Sequence, residues 1–184
     1  MNASQPASAY FLEEKKDPIE SNTLTIVVDN EPGVLARVIG LFSGRGYNIE
    51  SLTVSETEHE AHVSRITIVT SGTAEVLTQI KAQLERMVPV HSVADLTVIG
   101  EAIERELALI KVRGEGEQRV EALRLADAFR ARVVDGTNNS FVFELTGKTR
   151  KVEQFITLME PLGLQEVVRT GVTAISRGPE ALKI

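Results

Sequence analysis

The 184-residue chain contains no cysteine and no tryptophan. Without thiols it has no disulfide framework, no thiolate metal site and no cysteine nucleophile. Aromatic residues make up only 4% of the chain, too few for the stacking platforms on which unpaired bases rest. Positive charge is also short: 20 Lys and Arg stand against 26 Asp and Glu, a net charge of −6. Residues 1–100 carry 7 basic and 13 acidic side chains, and residues 101–184 carry 13 of each. Neither half offers the basic face that a nucleic-acid binder needs, and that function class is set aside. No apolar run approaches the roughly 20 residues of a membrane helix. Met1 to Tyr10 has neither a basic region nor an apolar run, so no secretory signal is read and cytoplasmic residence is the expectation. What is present, 42% hydrophobic and 25% charged residues, suits a globular protein with a sizeable core.

The most informative stretch runs from Thr23 to Ile49. Leu24, Ile26 and Val28 alternate with Thr25, Val27 and Asp29, the period-2 pattern of a half-buried strand. Asn30-Glu31-Pro32-Gly33 breaks that strand, with proline suited to a first helical turn and glycine to a close backbone approach. Val34, Leu35, Val38, Leu41 and Phe42 then recur at helical spacing and make one apolar face. The helix closes at Gly44-Arg45-Gly46, and a strand begins at Tyr47-Asn48-Ile49. Free N–H groups at such a helix start form a ready site for a small anion.

Residues 1–22 mix small and polar residues with the charge run Glu13-Glu14-Lys15-Lys16-Asp17, which reads as a flexible arm. The alternative is a docking tail that uses Tyr10-Phe11-Leu12. Downstream, Asn48 to Thr57 and His62 to Thr70 read as two strands joined through a polar turn. Ser71-Gly72-Thr73 caps a helix carrying Leu77, Ile80, Leu84 and Met87 on one face, and Pro89 ends it. Val90, Val93, Leu96, Val98 and Ile99 are read as a fourth strand. The order β-α-β-β-α-β is that of a ferredoxin-like unit. The second half repeats it: a strand over Leu107, Leu109, Ile110 and Val112, then a helix from Val120 to Phe129. Two strands follow, flanking Thr137-Asn138-Asn139, then a helix over Val152, Phe155, Ile156 and Met159. A closing strand holds Val167, Val168, Val172, Ala174 and Ile175. The period is about 80 residues, longer than the short-repeat solenoid classes. The fold class is therefore α+β, two ferredoxin-like βαββαβ units in tandem over 23–99 and 103–178, joined at Gly100-Glu101-Ala102.

The halves differ at one turn. Where the first has Asn30-Glu31-Pro32-Gly33, the second has Gly114-Glu115-Gly116-Glu117, whose acids disfavour a carboxylate at the helix start. One anion site is expected, not two. His59 and His62 sit among Glu56, Glu58 and Glu60, but without metal-ligand spacing on a helix they read as a solvated hairpin turn. Ser64, Ser71 and Ser140 lack a G-x-S-x-G setting, and no catalytic residue and no metal site is assigned.

Asp29-Asn-Glu-Pro-Gly-Val-Leu35 resembles the ligand loop of ACT domains, the amino-acid-sensing modules of ferredoxin-like fold. The longer run Arg37-Val-Ile-Gly-Leu-Phe-Ser-Gly-Arg-Gly-Tyr-Asn-Ile-Glu-Ser-Leu-Thr-Val54 resembles the family of small, regulatory subunits of acetolactate synthase (acetohydroxyacid synthase). Arg169-Thr-Gly-Val-Thr-Ala-Ile-Ser-Arg-Gly178 is similar to the close of that family's C-terminal domain. The resemblance spans residues 23–178 and makes the first unit an ACT domain.

That resemblance implies a non-catalytic subunit with no cofactor of its own. Its partner would be the large catalytic subunit, which holds thiamine diphosphate, magnesium and FAD. The small subunit would activate it and confer feedback inhibition by valine or another branched-chain amino acid. A homodimer through the ACT domain is implied, with effector contacts at Asn30, Gly33, Val34, Leu35, Asn48 and Ile49. N–H groups of Gly33 to Leu35 suit a carboxylate, with about 0.3–1 kcal/mol from the helix dipole. Asn30 and Asn48 have carbonyls for an ammonium group, and Val34, Leu35 and Ile49 offer apolar surface. Relatives often carry Ser where this chain has Pro32, a change that stiffens the turn. Two plain alternatives stand beside these roles: Asn30 as an N-cap, and Asn48 as support for a strand start. At the level of function, the alternatives are a stand-alone amino-acid-sensing ACT protein with another partner, a transcription regulator and a small enzyme. The regulator lacks a helix-turn-helix segment, and the enzyme lacks a nucleophile or acid/base constellation.

Overall fold

The computed structural model describes residues 18–58, 62–100 and 102–182. Residues 1–17, most of the expected arm, and His59, Glu60 and Ala61 of the hairpin lie outside these. Strand β1 spans Glu20–Asp29, helix α1 Val34–Arg45, β2 Ser51–Glu58, β3 Val63–Gly72, α2 Ala74–Glu85 and β4 Val90–Asp95. The four strands form an antiparallel sheet in the order β2-β3-β1-β4, with Thr25 opposite Thr67 and Thr67 opposite Thr53. Both helices cover one face. There Leu24, Ile26, Val28, Ile66 and Ile68 meet Val34, Val38, Phe42, Ile80 and Leu84 in the first core.

The second unit repeats the plan with β5 Ala102–Arg113, α4 Gly116–Phe129, β6 Arg132–Gly136, β7 Ser140–Gly147, α5 Thr149–Met159 and β8 Leu164–Arg169. Its order is β6-β7-β5-β8. A short strand β9, Thr173–Ser176, pairs with the first residues of β5. Phe143 and Phe155 are fully buried at the centre of the second core and meet edge to face at 6.0 Å. Truncating either to alanine costs about 3–5 kcal/mol.

Four expectations give way. The closing strand expected over Val167 to Ile175 is two, β8 and β9, with Val172 in the link between them. Glu20, Ser21 and Asn22 belong to β1, not to the arm, and Asn22 is buried because its amide donates to Asp95 Oδ2 at 2.6 Å. Val98 and Ile99, expected in a fourth strand, stand exposed on a one-turn helix α3, Leu96–Ile99. Asp95 starts that turn by accepting the Thr97 N–H at 3.0 Å, an N-cap that ends β4. Finally, Leu107 and Leu109 do not share a face with Ile110 and Val112. The two-residue period of β5 turns Glu106, Ala108, Ile110 and Val112 inward and leaves Leu109 exposed.

The far face of the first sheet, away from its helices, is buried as well: Thr23, Thr25, Val27 and Thr67 are all covered. The second unit closes over it. Ala174 of β9 packs with Ala94 and Leu96, Thr23 Oγ1 donates to Glu104 Oε1 at 2.6 Å, and Val172 bonds to Ser51 and Thr53.

Candidate functional site

The turn after β1 is held at both flanks. The Asp29 N–H donates to the Pro89 carbonyl at 2.9 Å, and the Asn30 N–H to the His62 carbonyl at 2.7 Å. His91 Nε2 lies 2.7 Å from Asp29 Oδ1, a contact across the base of the turn that no sequence pattern signals. Gly33 is the N-cap of α1 at φ 88°, ψ −8°, and no side chain caps the helix. Asn30 therefore does not act as the cap. Left-handed backbone at Gly33 takes that place, which glycine alone adopts freely.

At this open end the Val34 N–H is already given to the Glu31 carbonyl at 3.3 Å, and the Arg37 N–H to Gly33 at 3.0 Å. The N–H groups of Gly33, Leu35 and Ala36 meet no acceptor among the described residues. Of the expected Gly33–Leu35 donors, Val34 is thus engaged, while Gly33, Leu35 and also Ala36 are free to donate. No acidic residue stands in the first turn of α1, whereas Glu117 stands in that of α4. The Val34 side chain is buried in the first core, so of the two apolar residues here only Leu35, 37% exposed, presents surface to a ligand.

Asn48 and Ile49 lie elsewhere. They follow the other end of α1, where Gly46 caps with φ 69° and the Tyr47 N–H donates to the Phe42 carbonyl. The Asn48 carbonyl accepts from Thr70 Oγ1 at 2.6 Å, which anchors the backbone, while its side chain is exposed and unbonded. Ile49 is half-buried against the first core. A 12-residue helix separates the two groups, about 18 Å at 1.5 Å per residue. The registers agree: Ser51 is level with Val69 and Thr23, six residues down β1 from Asp29. Within one chain Asn30, Gly33 and Leu35 cannot share a small ligand with Asn48 and Ile49.

Other chemistry is thin. Among the described residues no group of three His, Cys, Asp or Glu side chains is placed to hold a metal, and no helix is long and apolar enough to cross a membrane. Glu166 is held below the usual carboxylate range by its hydrogen bond and charge contact with Lys111 at 2.5 Å, but that pair lies on the surface of the second unit.

The chain matches two family models. One, described as the AHAS small subunit-like ACT domain, covers residues 24–92. The other, described as the small subunit of acetolactate synthase, covers residues 105–178. Among named proteins, the probable acetolactate synthase small subunit of Archaeoglobus fulgidus is 46% identical over 157 residues, covering 85% of this chain and 97% of its own length. The acetolactate synthase small subunit of Haemophilus influenzae is 47% identical over 156 residues, 84% of this chain and 94% of that one. Among solved structures, the acetolactate synthase small subunit of Thermotoga maritima superposes with a TM-score of 0.79 at 35% identity, over 88% of this chain and 99% of that one.

Proposed function

The chain belongs to the family of acetolactate synthase small subunits, and from that premise we propose how it regulates. It pairs with a second copy through the ACT domain and holds one branched-chain amino acid, valine first, at each shared end of the paired α1 helices. It activates the large catalytic subunit, which carries the thiamine diphosphate, magnesium and FAD, and it relays feedback inhibition when the amino acid is bound. The setting is the cytoplasm, and the chain contributes no catalytic group.

The observation that supports this reading is the distance between the two halves of the site. Uncapped N–H groups of Gly33, Leu35 and Ala36 lie at one end of α1, and the unbonded Asn48 amide lies at the other. A two-fold axis that sets two α1 helices antiparallel brings the turn of one copy to Asn48 and Ile49 of its partner. The carboxylate then meets N–H groups and the positive end of the helix dipole. The ammonium meets the Asn48 and Asn30 carbonyls, and the isopropyl group rests on Leu35 and Ile49, worth about 1.5–3 kcal/mol when fully buried. Calorimetric titration of the full chain with valine, leucine and isoleucine, followed by assay with a catalytic subunit, is the direct test. Saturable heat with valine and matching inhibition is the expected result; no heat with any of the three overturns the site.

A further inference from the structure

Between the two units lies a cavity of about 370 Å³, within the size range of small-molecule sites. One wall is the far face of the first sheet, where cross-strand neighbours set Thr53 beside Thr67 and Ser55 beside Arg65. The other wall is the second unit, with Arg105, Thr146 and Thr173. Two guanidinium groups therefore line one cleft, and among the described residues neither has a carboxylate partner. Among the described residues Arg105 Nη1 donates to the neighbouring Glu104 carbonyl at 2.7 Å, and Arg65 Nε is buried without a hydrogen-bond partner.

Buried polar atoms in native proteins are nearly always bonded, so an orphaned one marks a ligand or a water. Arg65 Nε is not alone on this face. Its strand neighbour across β1, Val27, is flanked by Thr25 and paired with Ser92, and Thr25 Oγ1 and Ser92 Oγ are also buried and unsatisfied. The acid in the lining, Glu106, is paired: Arg169 Nε donates to its Oε2 at 3.3 Å and Arg169 Nη2 to its Oε1, with Glu153 Oε1 3.8 Å from Arg169 Nη1. Arg65 and Arg105 against Glu106 leave the lining of the cleft with an excess of positive charge, beside several hydroxyl donors.

We propose that this inter-unit cleft is a binding site for a phosphate-bearing small molecule, held between Arg65 of the first unit and Arg105 of the second. A phosphate dianion matches two guanidinium groups in one compact tetrahedral ligand, and arginine forks suit its oxygens. Thr67, buried and with no hydrogen bond of its own among the described residues, adds a hydroxyl donor, as do Thr146 and Thr173. Because the two arginines come from different units, occupancy draws the units together. The site is separate from the α1 turn and does not depend on the amino-acid reading.

Inorganic pyrophosphate is the probe, titrated into the full chain by calorimetry at an ionic strength matched with sodium chloride, with thermal unfolding followed in parallel. The expected result is saturable one-to-one binding and a raised Tm. Arg65→Gln and Arg105→Gln each weaken binding about tenfold or more, the scale of a lost charged hydrogen bond. Citrate, a carboxylate of similar charge near neutral pH, binds more weakly. Arg150→Gln lies in the neighbouring basic groove with Lys148 and Lys151 and leaves affinity unchanged, as does Asn48→Ala. Absence of saturable binding to the native chain overturns the proposal. So does unchanged affinity in Arg105→Gln, whose side chain is exposed. Arg105 and Thr146 also line the neighbouring groove, so Arg150→Gln decides between the two: loss in Arg150→Gln, with or without loss in Arg105→Gln, moves the anion to the neighbouring groove and overturns the proposal equally.

Discussion

Thr53 Oγ1 donates a 2.5 Å hydrogen bond to the Val172 carbonyl, across 119 residues of sequence and from one unit to the other. The Val172 N–H in turn donates to Ser51 Oγ at 2.7 Å. Both backbone groups of Val172 are thereby satisfied by β2 of the first unit. Gly171 makes the approach possible: at φ 87° its Cα faces the strand, and a Cβ there would sit 2.8 Å from Ser51 Oγ and 3.3 Å from the Leu52 carbonyl.

The first prediction follows from that junction. Thr53→Val keeps the shape but leaves the Val172 carbonyl without its donor, a loss of about 1–3 kcal/mol for a buried group. Gly171→Ala adds backbone strain and a clash. Both are expected to lower the midpoint of the second unit's docking and broaden or split the calorimetric unfolding transition. A single transition at the native midpoint in both variants shows that the units are not coupled here.

The second prediction concerns the α1 turn. Asn48→Ala removes an acceptor for the ammonium group, and about 1.5–3 kcal/mol corresponds to roughly ten- to hundredfold weaker valine binding. Gly33→Asp places a carboxylate at the turn proposed to hold the effector carboxylate, but it also strains a left-handed position by about 1–2 kcal/mol. Gly33→Asn has the same strain without the charge and is the proper comparison. The aspartate variant is expected to lose valine inhibition far more than the asparagine variant, with activation of the catalytic subunit retained in each. Asn138→Ala, exposed in the β6–β7 hairpin of the second unit, leaves inhibition unchanged. Equal valine response in Gly33→Asp and Gly33→Asn removes the carboxylate from this turn.

Dimerisation is the third. A turn with exposed Asn30, Pro32 and Gly33 is too shallow to enclose a side chain alone. Sedimentation at micromolar concentration is expected to show a dimer. A monomer that valine leaves unchanged contradicts the shared site.

Truncation after Gly100 is the fourth. The first unit has its own core of β1, β3, α1 and α2, so the fragment is expected to fold and dimerise. It uncovers Thr25, Val27, Ala94 and Leu96, now buried, and should melt lower than the whole chain. Activation of the catalytic subunit is expected in part and valine inhibition is expected to be impaired. Full valine sensitivity in the fragment shows that the second unit plays no part in the inhibited state.

Much was legible in the chain itself because its signals are local. The two-residue alternation of β1, the helical spacing from Val34 to Phe42 and the break at Pro32-Gly33 depend only on near neighbours, as does the repeat of that order in the second half. The acids at the second turn likewise needed no tertiary information. What the fold decided rests on contacts between distant residues or on backbone torsion. The alternation that marks β1 as half-buried cannot show that its polar face is covered too, since that needs β9 and Val172 just before it, about 150 residues away in sequence. Asn30 carries the chemistry of a cap, yet the left-handed φ of Gly33 opens the helix without it. Asn48 and Gly33 are only 15 positions apart in sequence, yet a rigid helix sets them at its opposite ends. Arg65 and Arg105, unremarkable in their own segments, line one cleft only because the second unit folds back over the first.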